Sequence, residues 1–168
     1  MQNYHNANRP NQRDNLQNNR NRQKFDKSKP GDLFKDVKQI DQPLMEEYGN
    51  RPEIFLEGGL LYENANKIIG LKTHQIRKVL QVTKEALTLA HSSTDFSQAK
   101  KKLFVLLPMT AYNVGRAQKG EKTSYESFLK FIYANVNQHS ITTVDDIEMF
   151  DQMITSIVAY HKFLGGKE

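Results

Sequence analysis

Residues 156–168, SIVAYHKFLGGKE, decide the fold class, because they join a helical apolar stripe to a glycine stop. The spacing of one helix face, three and four positions apart, is kept by Ile154, Ile157, Val158 and His161. Gly165 and Gly166 follow, and glycine readily adopts the left-handed backbone that satisfies the last carbonyls of a helix. The sequence therefore predicts a C-terminal helix that stops at the glycine pair, with the chain ending at the helix tip.

The same periodicity predicts four further helices upstream of this one. They are a short helix ended by Gly70, a second capped by Thr73, a third from Asp95 or Ser97 that Pro108 kinks or ends, and a fourth opened by a capping box at 123–126. Thr143 caps the C-terminal helix. Since no alternating strand pattern competes, we predict an all-α fold, a compact bundle of about five helices with a disordered basic N-terminal extension.

The first 30 residues differ from the rest in composition, with eight Asn, four Gln and four Arg and few large apolar side chains. Such a segment buries too little surface to offset its ordering entropy, so we predict that it is disordered. It could be a basic arm that tracks RNA, or a solubilising tail. Residues 31–59 contain Pro43, Pro52 and a glycine pair, which indicates a linker with one short amphipathic turn around Leu44. We therefore predict a disordered Asn/Gln/Arg-rich arm and linker over 1–50 and a helical domain over 51–168.

Several function classes are disfavoured by the composition. The chain has no Cys, which removes disulfides, thiolate nucleophiles and Cys-based zinc sites. It shows no membrane-length apolar run and no signal peptide, so we expect a cytoplasmic protein. The five His residues lack metal-ligand spacing with carboxylates, and no phosphate-binding loop or Ser nucleophile motif is present. We predict no catalytic residues, no metal and no cofactor.

Charge is concentrated in one block. The net charge is +5 over residues 1–30, −5 over 31–66, +8 over 67–122 and −3 over 123–168. A strongly cationic segment inside an otherwise acidic domain is the electrostatic footprint of a protein that binds a phosphate backbone. Solvated helix faces also carry such runs, and this simpler explanation stays open.

The candidate RNA-binding residues all lie in the +8 block: Lys72, Gln75, Arg77, Lys78, Lys101, Lys102, Arg116 and Lys119. The first four crowd the start of the second helix, where the helix dipole disfavours cations unless an anion is near. A phosphate there would gain the exposed N–H groups and the arginine fork. The last two lie on a loop from Gly115 to Lys122.

Two aromatic side chains need separate interpretation. Tyr112 could stack on a base or complete the core, and we favour the core. His161 lies on the apolar side of the last helix, so we interpret it as a buried core or interface histidine and not as a ligand.

Three phrases of the sequence resemble one protein family. They are VAYHKF with its glycine pair at 158–166, the Thr73 helix start with the Ile76-Arg77 pair, and Tyr112 followed by Gly115-Arg116. In this order they resemble the small, all-helical subunit of type III-A CRISPR-Cas (Csm) effector complexes, over roughly residues 60–168. The resemblance implies a non-catalytic subunit that contacts guide RNA and target RNA through the sugar-phosphate backbone. It also implies contacts with the repeating backbone subunit and with neighbouring copies of itself.

A second hypothesis comes from the acidic flanking blocks. The chain could be a helical protein–protein interaction module whose acidic outer helices dock a basic partner, with only incidental RNA binding. The two hypotheses differ in what charge reversal at Arg77 and Lys78 should disrupt: RNA retention under the first, and protein association under the second.

Overall fold

The computed structural model of the chain describes residues 32–168. The described chain forms the α-helices α1 (Leu44–Tyr48), α2 (Leu60–Lys67), α3 (Thr73–Ser92), α4 (Phe96–Phe104), α5 (Leu106–Arg116), α6 (Lys122–Asn135) and α7 (Val144–Phe163), with a 3-10 turn at Pro52–Phe55. Within residues 32–168 the β-type pairing is limited to an isolated bridge between Lys72 and Lys167. The predicted all-α bundle is confirmed. The predicted disordered arm at 1–30 lies outside the described residues.

Two 20-residue helices, α3 and α7, form the antiparallel centre of the bundle. Their direction follows from contacts at both ends, since Leu71 meets His161 and Lys84 pairs with Asp151. α4 packs on α3, α2 packs on α7, and α5 and α6 pack together as a helical hairpin. The fully buried core includes Leu61, Ile76, Leu103, Leu106, Ile132, Phe150, Ile154 and Ile157. The apolar stripe predicted for the last helix is therefore a core face, since Ile154 and Ile157 are fully buried.

The predicted third helix is two helices in the structure. Asp95 caps α4 by accepting a hydrogen bond from the Ser97 N–H at 2.9 Å, as the sequence indicated. The helix then breaks at Val105, three residues before Pro108. Proline has no N–H and clashes with the preceding helical turn, so it is accommodated in the first turn of a new helix and not inside a continuous one.

α7 begins with the predicted cap, and that cap also attaches α1. The Thr143 hydroxyl accepts from the Asp146 N–H, and the Asp146 carboxylate accepts from the Thr143 N–H. The same carboxylate accepts from the Met45 N–H at 3.0 Å, and Leu44 is completely buried. Residues 44–48 form α1, where the sequence predicted one short amphipathic turn within a linker. They pack on the bundle, because Leu44 has an apolar site there and its N–H reaches the Ser140 carbonyl at 3.0 Å.

The chain does not end at the tip of α7, which corrects a second expectation. Gly165 adopts the left-handed backbone (φ +82°), as predicted, whereas Gly166 does not. Gly166 instead packs so closely on the His161 ring that a Cβ there would overlap it. The segment then runs back to the start of α3, where Lys167 bridges Lys72.

Two of the predicted helix caps are also wrong. Thr73 is the first residue of α3, and its N–H and hydroxyl both donate to the Lys167 carbonyl, at 2.7 and 2.9 Å. α6 begins at Lys122, and Ser124, which belonged to the predicted capping box, is buried against Gly70. At α3 a contact with Lys167, distant in sequence, uses the groups of the predicted cap, whereas α6 begins one residue before the predicted box and has no side-chain cap.

Candidate nucleic-acid interface

The first two turns of α3 present three cations to solvent. These are the exposed residues Lys72, Arg77 and Lys78. Ile76 and Val79, on either side of the Arg77-Lys78 pair, are buried in the core. None of the three cations has a carboxylate partner among residues 32–168. Their positive charge is therefore available to an external anion.

The backbone at the start of α3 is less open than the sequence suggested. The Thr73 N–H donates to Lys167, and the Gln75 N–H donates to the Lys72 carbonyl at 2.8 Å. The Gln75 side chain accepts from the Lys72 N–H at 2.7 Å, so it closes the helix start. The expectation that a phosphate would gain free N–H groups here is thus wrong for Thr73 and Gln75, because the chain itself satisfies them. A phosphate would meet the Lys and Arg side chains.

The loop between α5 and α6 lies at the same end of the bundle. A Cβ placed on Gly70, just before α3, would lie 2.7 Å from Ser124 Oγ and 3.7 Å from the Gly120 carbonyl oxygen. Arg116 ends α5 and Lys119 precedes Gly120, and both side chains are exposed. We call Lys72, Gln75, Arg77, Lys78, Arg116 and Lys119 the cationic end. The start of α3 and the α5–α6 loop thus lie side by side, and six of the eight predicted site residues belong to these two segments and the end of α5.

The other two predicted residues lie elsewhere, on α4. Lys101 is exposed, whereas Lys102 forms an ion pair with Glu85 of α3, with Nζ 2.6 Å from Oε2. Glu85 follows Lys72 by thirteen residues, which is about 20 Å along a helix axis. Lys101 and Lys102 therefore belong to a separate cationic region along the side of the bundle.

Tyr112 does not lie in the core, contrary to our interpretation, and is 61% exposed. Thr110 is the buried residue of this part of α5, and a residue two positions later points about 200° away from it. The Arg116 guanidinium lies 5.3 Å from the centre of the Tyr112 ring and donates a hydrogen bond of 3.1 Å to its hydroxyl. Tyr112 is thus an exposed aromatic group directly beside the cationic end.

His161 has the predicted buried position and connects α7 to the start of α3. It is completely buried, and its Nε2 lies 3.0 Å from the Leu71 carbonyl oxygen. Burial lowers the pKa of His161, and the backbone acceptors at Leu71 and Ile69 only partly oppose this. A neutral ring that donates from Nε2 to Leu71 fits this site. The ring therefore fixes the turn that carries Lys72.

A comparison with known protein families identifies the chain. The family model described as Csm2 Type III-A matches residues 58–167, which run from the turn before α2 to the residue that bridges Lys72. The chain belongs to the Csm2 type III-A family. The resemblance to small subunits of type III-A Csm complexes is thus confirmed. No curated protein and no solved structure matches the chain.

One functional candidate of this Csm2 chain escaped the sequence analysis. Lys167 is exposed and adds a further cation to the start of α3 through its bridge with Lys72. Ninety-five residues separate the two lysines in the sequence. No local pattern signals such a contact, so only the structure could place them together.

Residues 32–168 contain no group of three or more His, Asp or Glu side chains arranged to hold a metal ion. Within the same residues, no helix combines the length and the apolar character needed to cross a bilayer.

Proposed function

We propose that this Csm2 chain is a non-catalytic small subunit of a type III-A CRISPR ribonucleoprotein interference complex and binds guide RNA and target RNA through the sugar-phosphate backbone. The observation that carries the RNA part is the cationic end, where Lys72, Arg77 and Lys78 extend from α3 beside Lys119 of the α5–α6 loop. Family membership supports the place in the complex.

Binding without sequence specificity follows from the chemistry of these groups. Lysine and arginine on an open helix surface pair with phosphates, and such contacts position a strand without reading its bases. The α4 region with Lys101 and Lys102 lies about 20 Å from Lys72, a distance that about six phosphates of one strand span at 3.4 Å each. One strand can therefore contact both regions, and Lys102 would exchange Glu85 for a phosphate.

The proposal leaves sequence selection to base pairing and catalysis to other subunits. The partners are guide RNA, target RNA, the repeating backbone subunit and neighbouring copies of the chain. A cytoplasmic location belongs to the same proposal, since the RNAs that it binds are found there.

Removal of two cations tests the RNA contact. Arg77→Ala with Lys78→Ala, in the assembled complex, should weaken RNA binding equally for unrelated target sequences. Each lost phosphate contact lowers the slope of log affinity against log salt by about 0.7 for a single strand, so the double variant should lower it by about 1.4. A nitrocellulose filter assay at several salt concentrations measures both effects.

Lys35→Ala with Lys38→Ala is the matched control. It removes the same charge from two exposed lysines in the segment before α1, where Asp32, Asp36 and Asp41 surround them. This control should keep the salt slope of the unmodified complex. An unchanged slope in the Arg77/Lys78 variant, or a shift of target choice, would contradict the proposal.

A helical protein–protein interaction module is the second candidate, and exposed apolar side chains favour it. Leu56 is 62% exposed and Phe163 is 75% exposed, which suits contact with a protein. Charge reversal separates the candidates. Arg77→Glu with Lys78→Glu should abolish RNA retention by the assembled complex, whereas under the second candidate RNA stays and protein association fails.

A further inference from the structure

The Tyr112–Arg116 pair on α5 has no structural task that explains its exposure. The two residues are one turn apart, and the guanidinium lies against the ring, 5.3 Å from its centre. The ring is 61% exposed, and Pro108, one turn earlier on the same side of α5, is exposed as well. Arg116 forms no ion pair with a carboxylate in residues 32–168. An aromatic surface and a free cation are therefore presented together.

The charge around this pair selects the kind of ligand. Residues 96–120 contain five Lys or Arg and no Asp or Glu. A nucleotide combines a flat aromatic base with an anionic phosphate, and both parts have a partner here. Bases of single-stranded RNA stack on tyrosine rings and on arginine planes. Tyrosine stacking tolerates every base, because each has a π face, so it is compatible with binding that ignores sequence.

We propose that Tyr112 and Arg116 hold one unpaired nucleotide of single-stranded RNA, with the base stacked on the Tyr112 ring and the adjoining phosphate on Arg116 and Lys119. This inference rests on the proposed RNA-binding function, and it adds a base contact to a surface otherwise described by phosphate contacts. Arg116 prepares the ring by fixing its orientation through the 3.1 Å hydrogen bond to the tyrosine hydroxyl.

Tryptophan fluorescence reports such stacking directly. The chain has no Trp, so Tyr112→Trp places a single fluorophore at the site, and Phe163→Trp places one at a 75% exposed position at the end of α7. Each variant of the full chain is titrated with a short oligoadenylate and with an abasic oligonucleotide of equal length. Stacking predicts strong quenching of Tyr112→Trp by oligoadenylate, little by the abasic strand, and little change in Phe163→Trp. Equal quenching of Tyr112→Trp by both strands would overturn the inference.

Affinity gives the second measurement. Tyr112→Leu keeps apolar bulk and should weaken oligoadenylate binding about 5- to 150-fold, the range for loss of one stacked base. The same change should leave abasic binding unaltered. Tyr112→Phe keeps the ring but loses the hydrogen bond from Arg116, so it should weaken oligoadenylate binding less than Tyr112→Leu does. Circular dichroism confirms that each variant is folded.

The remaining outcomes separate this inference from the proposed function. If Tyr112→Leu binds oligoadenylate normally while Arg77→Ala with Lys78→Ala weakens both strands, base stacking is excluded and the phosphate contacts stand. If Tyr112→Leu binds RNA normally but no longer joins the assembled complex, α5 is a protein contact and the inference is wrong. If the Arg77/Lys78 variant also binds normally, the proposed RNA-binding function fails with it.

Discussion

Asp146 is the carboxylate whose removal tests the described packing most directly. It is completely buried at the start of α7 and accepts five hydrogen bonds. Oδ1 accepts from the Met45 N–H at 3.0 Å. Oδ2 accepts from the N–H and the hydroxyl of Thr142, each at 2.9 Å, and from those of Thr143 at 2.9 and 3.0 Å. One side chain therefore joins α1, the loop before α7 and α7 itself.

The size of the effect of Asp146→Ala follows from these partners. Thr142 and Thr143 are exposed, so in the variant their N–H groups can donate to water instead of the carboxylate. The loss of the carboxylate therefore costs only about 0.5–1 kcal/mol for each N–H. The Met45 N–H loses a charged acceptor, which costs about 1.5–3 kcal/mol. Loss of a negative charge from the first turn of α7 costs about 0.3–1 kcal/mol more. We expect the free energy of unfolding to fall by about 3–6 kcal/mol.

Urea denaturation followed by circular dichroism measures this change. The control is Asp145→Ala, which removes a neighbouring carboxylate that is exposed in the same helical turn. It should cost only the dipole contribution, about 0.3–1 kcal/mol. Equal midpoints for the two variants would refute the reasoning, because they would show that the five hydrogen bonds add nothing to the helix-dipole effect.

The same carboxylate predicts an acid-sensitive stability. Burial raises the pKa of Asp146, but hydrogen bonds from Met45, Thr142 and Thr143 outweigh it, and the pKa is lowered overall. A lowered folded pKa means that the unfolded chain binds the proton first as pH falls. The contribution of Asp146 to the free energy of unfolding is therefore complete above about pH 4 and is lost as pH falls through the folded pKa. Asp146→Ala should lack this part of the acid transition.

Three further predictions concern the core, the buried histidine and the N-terminal segment. Ile157→Ala should lower the free energy of unfolding by about 2–4 kcal/mol, because Ile157 is completely buried; an unchanged urea midpoint would contradict its core position. Because burial lowers the pKa of His161, its contribution to the free energy of unfolding should be complete above about pH 6.5 and should decrease as pH falls towards the folded pKa. The free energy of unfolding of His161→Gln should therefore change less between about pH 7 and pH 5 than that of the unmodified chain. Deletion of residues 1–30 should keep the thermal midpoint within a few degrees, since the described core begins at Leu44; a larger loss in calorimetry would contradict it.

Local patterns predicted the helices well, because a helix face is set by neighbours three and four positions away. The cap of α7 was predictable for the same reason, since Thr143 and Asp146 are both donor and acceptor within three residues. Thr73 carries a similar signal, yet its N–H and hydroxyl donate to Lys167, which is 94 residues away. A tertiary contact of this kind leaves no trace in a short window of sequence.

The cationic end was predictable in part. Ile76 and Val79 fix the inward side of α3, so Arg77 and Lys78 had to point outward, and the structure agrees. The role of Gln75 was not predictable, because the same polar side chain can face a ligand or close the helix that carries it. The structure shows the second arrangement.

The exposure of Tyr112 follows from the apolar stripe of α5, because Thr110 is buried and Tyr112 lies about 200° away from it. A helix unbroken over residues 96–116 would extend about 30 Å in one direction, whereas the sequence predicted that Pro108 kinks or ends it. The helix ends at Val105, and α5 packs with α6 as a hairpin whose loop returns to Gly70 and the start of α3. Pro108 therefore does more than interrupt a helix. By starting a new helix, it lets the α5–α6 loop, which carries Lys119, lie beside the start of α3, so the candidate interface depends on the residue that most disrupts the helical pattern.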